Sequence, residues 1–143
     1  MLEAIVDQSS KQAELIGLYR HMVEHGYKRS NGTLVKNAYA DFELHRFRKS
    51  VAEFFAPRTI NSVLDYGCGG SDWDRMPVFE GKSGRAYFGL EEVFYYEPAR
   101  GIDQRQTADC VVCFDVLEHV FLGDVVSVLR NIFSFARKAV VLN

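Results

Sequence analysis

Proline occurs only three times in these 143 residues, and no stretch concentrates proline, glycine and serine. That excludes a flexible linker between domains, and a single domain of this length can bury roughly two thirds of its unfolded surface. Cysteine is equally sparse. Three residues, an odd number, follow an N-terminus (MLEAIVDQSSKQ) that is amphipathic and acidic early rather than leader-like. A disulfide framework is therefore not expected, and the expected compartment is the cytoplasm. No apolar run approaches the ~18 residues that cross a bilayer, so no membrane partner is expected. A strong excess of either charge is missing too, with 17 Lys and Arg against 19 Asp and Glu. The first 58 residues hold nine basic and seven acidic side chains. Neither part has the basic excess that neutralises phosphates, so a nucleic-acid partner is not expected. What remains, 48% hydrophobic and 25% charged residues, is ordinary for a globular domain.

The apolar residues are spaced in two different ways along the chain. Between Leu2 and His25, Ile5, Leu15, Leu18, Tyr19, Met22 and Val23 recur at helical spacing up to Gly26, a common helix stop. A turn follows at Arg29–Leu34. A second helix is expected over Asp41–Phe55, with Phe42, Leu44, Phe47, Val51 and Phe54–Phe55 on one face, ending before Pro57. Short apolar runs then begin: Thr59–Tyr66, Val93–Tyr96, Ala108–Phe114 and Ala139–Leu142 read as strands. Leu122–Ala136 reads as a helix between the last two. Nearly continuous apolar strands are those covered on both faces of a parallel sheet. The expected fold is α/β: a truncated doubly wound (Rossmann-like), mostly parallel sheet at 59–143, preceded by N-terminal cap helices at 1–58, in one domain.

Residues 63–74, VLDYGCGGSDWD, place three glycines directly behind the first strand. Ligands of open parallel sheets bind where strands end, and Gly67, Gly69 and Gly70 would let one lie against bare backbone. Asp65 would accept hydrogen bonds from it. Cys68 is small enough for such a loop. Some thirty residues on, VFYYEP puts Glu97 at the end of the second strand, and ADCVVCFDVLEHV puts Asp115 after the third.

These three stretches, in this order, resemble the motifs of class I S-adenosylmethionine-dependent methyltransferases. The resemblance covers about Thr59 to Asn143, and Glu97-Pro98-Ala99 with the DVLEH run is similar to short, phage-type members. It implies S-adenosyl-L-methionine as cofactor, bound by Asp65, Gly67, Cys68, Gly69, Gly70, Glu97 and Asp115, with Glu97 on the ribose hydroxyls. It implies methyl transfer to a small-molecule acceptor, with Asp115 and His119 catalytic and His119 as general base, since imidazole titrates near neutrality. Tyr19 and His21 become acceptor-pocket candidates by the same likeness. Three departures stand beside it. Ser71 occupies the third glycine position of the loop. Only PARGIDQRQT separates Glu97 from Ala108, too little for a strand and a helix. The chain ends at its fourth strand, so a homodimer is expected to cover the edge unless the chain is a fragment.

Other readings of the same residues stay open. Asp65 also suits a turn cap, and Asp72 and Asp74 suit the start of a helix. Trp73 fits either the cofactor's methionine arm or the core. Cys110 and Cys113 form CVVC, but on a strand i and i+3 face opposite ways, so core packing is expected rather than metal or redox chemistry. If a helix starts at Asp115, then Asp115 and His119 share one face, and with Glu118 they resemble the metal ligands of small-RNA 2′-O-methyltransferases. A cofactor-fold module without activity is the main alternative function. A nicotinamide-binding domain fits less well, since GCGGSD lacks the final glycine of that fingerprint.

Overall fold

The computed structural model describes residues 10–40 and 42–143. Helix α1 (Ser10–His25) ends at Gly26, whose φ of +73° suits glycine and whose N–H donates to the Met22 carbonyl at 2.9 Å. A small hairpin, β1 (Tyr27–Lys28) and β2 (Leu34–Val35), closes over the Arg29–Thr33 turn. Helix α2 (Leu44–Phe55) buries Leu44, Val51 and Phe55 on one face and gives way to a helical turn at Ala56–Arg58. Strand β3 (Ser62–Tyr66) is buried along its whole length. A second hairpin, β4 (Pro77–Phe79) and β5 (Lys82–Ser83), leads into the short helix α3 (Gly84–Phe88). Then come β6 (Glu92–Glu97), β7 (Ile102–Asp103), β8 (Ala108–Cys113), helix α4 (Val125–Phe135) and β9 (Ala136–Leu142).

The main sheet has the order β7-β6-β3-β8-β9, parallel throughout except for the short β7, which runs antiparallel to β6. Alternation along the strands gives it two apolar faces. Val63, Cys110 and Val112 pack with Leu44, Val51 and Phe55 of α2 and, through Phe88, with α3. Leu64, Val111 and Cys113 pack under Val128 and Ile132 of α4. The result is a three-layer α/β arrangement, each Val- or Leu-sized side chain contributing about 1.5–3 kcal/mol on burial. At the amino ends of the strands, opposite the glycine turn, the buried Asp109 carboxylate accepts the Asn61 N–H at 2.9 Å and pairs with Arg137 and Lys138, both at 3.2 Å. That junction ties the entry of β3 to β8 and β9.

The α/β class and the mostly parallel sheet are as the sequence leads one to expect, and Cys110 and Cys113 do lie on opposite faces, in separate clusters. Several expected boundaries move. The first helix is described from Ser10, and residues 1–9 and Asp41 of the expected helices lie outside the described residues. The strand expected from Thr59 begins at Ser62, because Thr59 takes φ +49°. Leu122–Asp124 form a turn before α4, and β9 begins at Ala136 rather than Ala139. Asp72 and Asp74 do not start a helix. Asp72 Oδ1 accepts the N–H groups of Asp74 and Arg75, a local turn that satisfies them, and Asp74 is instead engaged by the Arg85 guanidinium. The ten residues after Glu97 supply a helical turn (Pro98–Arg100) and the two-residue β7. No helix of the described residues is long and apolar enough to cross a membrane.

Candidate functional site

From β3 the chain crosses to β6 on one side and then passes back to β8 on the other, so the strand order reverses beside β3. In open parallel sheets the crevice at the carboxyl ends of the strands at such a point is where ligands bind. A pocket of about 440 Å³ opens there, within the roughly 300–1,000 Å³ usual for small-molecule sites. Its floor includes Asp65 at the end of β3, Glu97 at the end of β6 and Asp115 after β8, and its outer wall includes Tyr19, Tyr39 and His119. Gly67, Cys68 and Gly69 also line it.

Each expected residue has a definite partner. Asp65 is 5% exposed, and its Oδ2 accepts the Trp73 indole N–H at 2.8 Å. Burial pushes its carboxyl up to about 7, against the opposing pull of the Trp73 hydrogen bond, and the nearby Glu97 charge adds to the rise. Trp73 is fully buried between Phe42 and Phe88, with ring centroids at 5.9 and 6.0 Å. It is a core residue that orients Asp65, and it is not among the side chains lining the pocket. Glu97 Oε2 accepts the Gly69 N–H at 2.9 Å and Oε1 accepts the Ala99 N–H at 3.0 Å. One carboxylate thus ties the end of β6 to the glycine turn. Burial also raises the Cys68 thiol far above its ordinary range, so it remains protonated and inert.

The glycine turn is closely packed against the protein itself. A Cβ on Gly67 would lie 2.3 Å from Val116 Cγ2, and one on Gly69 would lie 2.6 Å from the Tyr39 carbonyl oxygen. Gly67 and Cys68 both donate to the Tyr96 carbonyl, at 2.7 and 3.1 Å, and Gly70 donates to the Tyr39 carbonyl at 2.7 Å. With Gly69 bound to Glu97, the N–H groups of the turn face protein acceptors. The turn therefore meets a ligand through its shape and its neighbouring carboxylates rather than through free amide donors. The segment around Tyr39 forms a strap across the turn, held also by Arg100, whose Nη2 donates to the Ala38 carbonyl at 2.9 Å. Tyr39 itself takes φ +56°, a conformation that costs a non-glycine residue on the order of 1 kcal/mol.

Beyond β8 the expected helix face does not form. Asp115 has φ +52°, and only the turn Leu117–His119 is helical, so Asp115 and His119 do not share a helix face. Asp115 is clasped by Asn143, which accepts its N–H at 2.7 Å and donates to its Oδ1 at 2.9 Å. His119 Nδ1 lies 2.9 Å from the Tyr19 hydroxyl of α1. Among the described residues no three His, Cys, Asp or Glu side chains come together to hold a metal ion. The ligand set considered for Asp115, Glu118 and His119 does not assemble, because two of its members turn to other partners.

Tyr19, Tyr39 and His119 form an aromatic corner with edge-on rings, centroids 5.2 Å (Tyr19–Tyr39), 5.5 Å (Tyr19–His119) and 6.3 Å (Tyr39–His119) apart. Burial raises the Tyr19 phenol above its usual range, aided by the Glu118 charge; burial does the same for Tyr39. His21 stays out of this corner and packs at a tilt against His25, ring centroids 4.5 Å apart. Sequence reasoning missed the Tyr39 strap and Asn143, since both reach the site from distant positions with no motif around them. Against protein-family models, curated proteins and solved structures, the chain finds no match.

Proposed function

We propose that this pocket binds S-adenosylmethionine and that the protein transfers the methyl group to a small acceptor, on a doubly wound, Rossmann-like core. One observation carries the reading: the acids of three separate sequence motifs, Asp65, Glu97 and Asp115, line a single pocket at the reversal point of the strand order. Its acidic floor suits an amine, a sulfonium and ribose hydroxyls, and Arg29 and Arg100 of the lining are the cations available for a carboxylate. When bound, the cofactor supplies an already activated methyl group, so the protein's task is alignment and proton removal. Asp65 and Glu97 orient the ligand, Tyr39 and the turn beneath it shape the wall, and His119 offers Nε2 as proton acceptor when its Nδ1–H donates to Tyr19.

Calorimetry with S-adenosylhomocysteine tests this. Binding in the micromolar range is expected, and Glu97→Gln should weaken it about tenfold by removing a charged acceptor. No heat from the wild-type protein ends the proposal.

A second reading, a cofactor-binding module without turnover, draws on the ties already made inside the site. Asp115 is clasped by Asn143 and His119 by Tyr19. Tight binding of S-adenosylhomocysteine, with no methyl passed to any amine, hydroxyl or thiol of a broad acceptor panel, would favour it.

A further inference from the structure

We infer that the acceptor is a cationic amine, seated at the aromatic corner between α1 and the Leu117–His119 turn with its ammonium group on Glu118. The inference rests on the methyltransfer reading and specifies its second substrate.

Five carboxylates line the pocket, Glu43, Asp65, Glu97, Asp115 and Glu118, against two guanidinium groups, those of Arg29 and Arg100. Most of those carboxylates are already engaged. Asp65 accepts from Trp73, Glu97 from two backbone amides, Asp115 from Asn143, and Glu43 pairs with Arg46 at 3.4 Å. Glu118 alone of the five is exposed, and among the described residues its carboxylate has no hydrogen-bond or ion-pair partner. It stands beside the Tyr19 phenol, whose ionisation its charge opposes.

The rings of Tyr19 and Tyr39 line the same pocket, and aromatic faces attract cations within about 6 Å. A free carboxylate, two phenol rings and an imidazole, on a wall that the three strand-end acids do not form, match an alkyl- or arylammonium group. A neutral alcohol would leave Glu118 without a counter-charge, and a carboxylic acid would be repelled by it.

The chemistry closes on the same groups. The ammonium gives one proton to His119 Nε2. The freed nitrogen lone pair then forms the N–C bond to the methyl carbon as the C–S bond breaks, its electron pair passing to sulfur. The methylated ammonium that results leaves with its remaining protons, and the imidazolium returns its proton to solvent.

The experiment uses the full chain saturated with S-adenosylhomocysteine and three probes of nearly equal shape: phenethylamine, 2-phenylethanol and phenylacetate. Phenethylamine should bind at least tenfold more tightly than either of the others. Glu118→Gln should erase most of that preference while leaving the heat of S-adenosylhomocysteine binding unchanged, which also shows that the variant folds. Tyr19→Phe should keep the preference for the amine, because it keeps the ring and Glu118. Equal binding of amine and alcohol, or an unchanged preference in Glu118→Gln, overturns the inference while the cofactor reading stands. Absence of S-adenosylhomocysteine binding overturns that reading first, and the inference with it.

Discussion

Gly67 shows how much one position can carry. Its φ of +80° and the 2.3 Å approach of Val116 to a hypothetical Cβ mean that alanine there meets two separate penalties. Gly67→Ala should destabilise the fold by roughly 1–3 kcal/mol. Adding Val116→Ala should restore the steric part and leave the backbone part, measured by urea denaturation of the single and double variants. Asp65 gives a prediction of another kind. Its carboxyl titrates at about 7 in the folded protein against an ordinary value of 3.8. Between those values the native state binds more protons than the unfolded chain, so this group makes stability fall as pH rises from about 4 to about 7, by at most about 1.4 kcal/mol per pH unit. Above pH 7 its contribution levels off. Asp65→Asn keeps an acceptor for Trp73 and should flatten that slope; an identical pH profile for the two proteins would show that Asp65 does not titrate there. Legibility at this scale was uneven. Asp65, Glu97 and the glycines stood out because strand ends and turns demand particular residues. The partners that hold them were invisible, because a hydrogen bond from Gly70 to Tyr39 leaves no mark on either neighbourhood.

Among the elements, β3 and β8, buried along their whole length, were readable because a strand covered on both faces has to be almost wholly apolar, and β6 and β9 showed themselves only by shorter apolar runs. The short pieces were not. β4, β5 and α3 bury few residues each and owe their shape to local caps, such as the Ser83 hydroxyl accepting the Ala86 N–H at 3.3 Å. The return after Glu97 is the clearest case. Ten residues are too few for a full strand and helix, and Arg105 makes of them a structured edge instead. Its guanidinium grips Asp103 at 2.7 and 2.8 Å, reaches Asn131 of α4 at 3.2 Å and lies 4.2 Å over the Tyr96 ring. Arg105→Ala should cost about 1–2 kcal/mol of stability by losing the forked hydrogen bonds and the packing of its stem. Arg105→Lys should recover less than half, since an ammonium cannot reproduce the fork. Denaturant midpoints of the three proteins decide it, and equal midpoints for alanine and wild type would remove the clamp from the account.

At the scale of the whole molecule, the site is made by segments far apart in sequence. α1 brings Tyr19 to His119 across 100 positions, and the strap brings Tyr39 to the glycine turn. A ligand filling the pocket should therefore couple them. Hydrogen exchange with and without S-adenosylhomocysteine is expected to slow together at 36–40, 67–70 and 117–120, with little change in the β4–β5 hairpin. Slowing confined to the glycine turn would mean that the N-terminal segment takes no part in binding.

The order of residues alone determined the α/β class, the positions of the main strands and the placing of the cysteine pair on opposite faces, because burial periodicity is a local property of the chain. Tertiary structure decided which groups remain available to a ligand. The turn's amides, Asp115 and one nitrogen of His119 are taken by Tyr96, Glu97, Tyr39, Asn143 and Tyr19, whereas the Glu118 carboxylate has no hydrogen-bond or ion-pair partner among the described residues. Availability depends on what folds back against a group, and residues brought together from dozens of positions apart carry no local pattern that records their meeting.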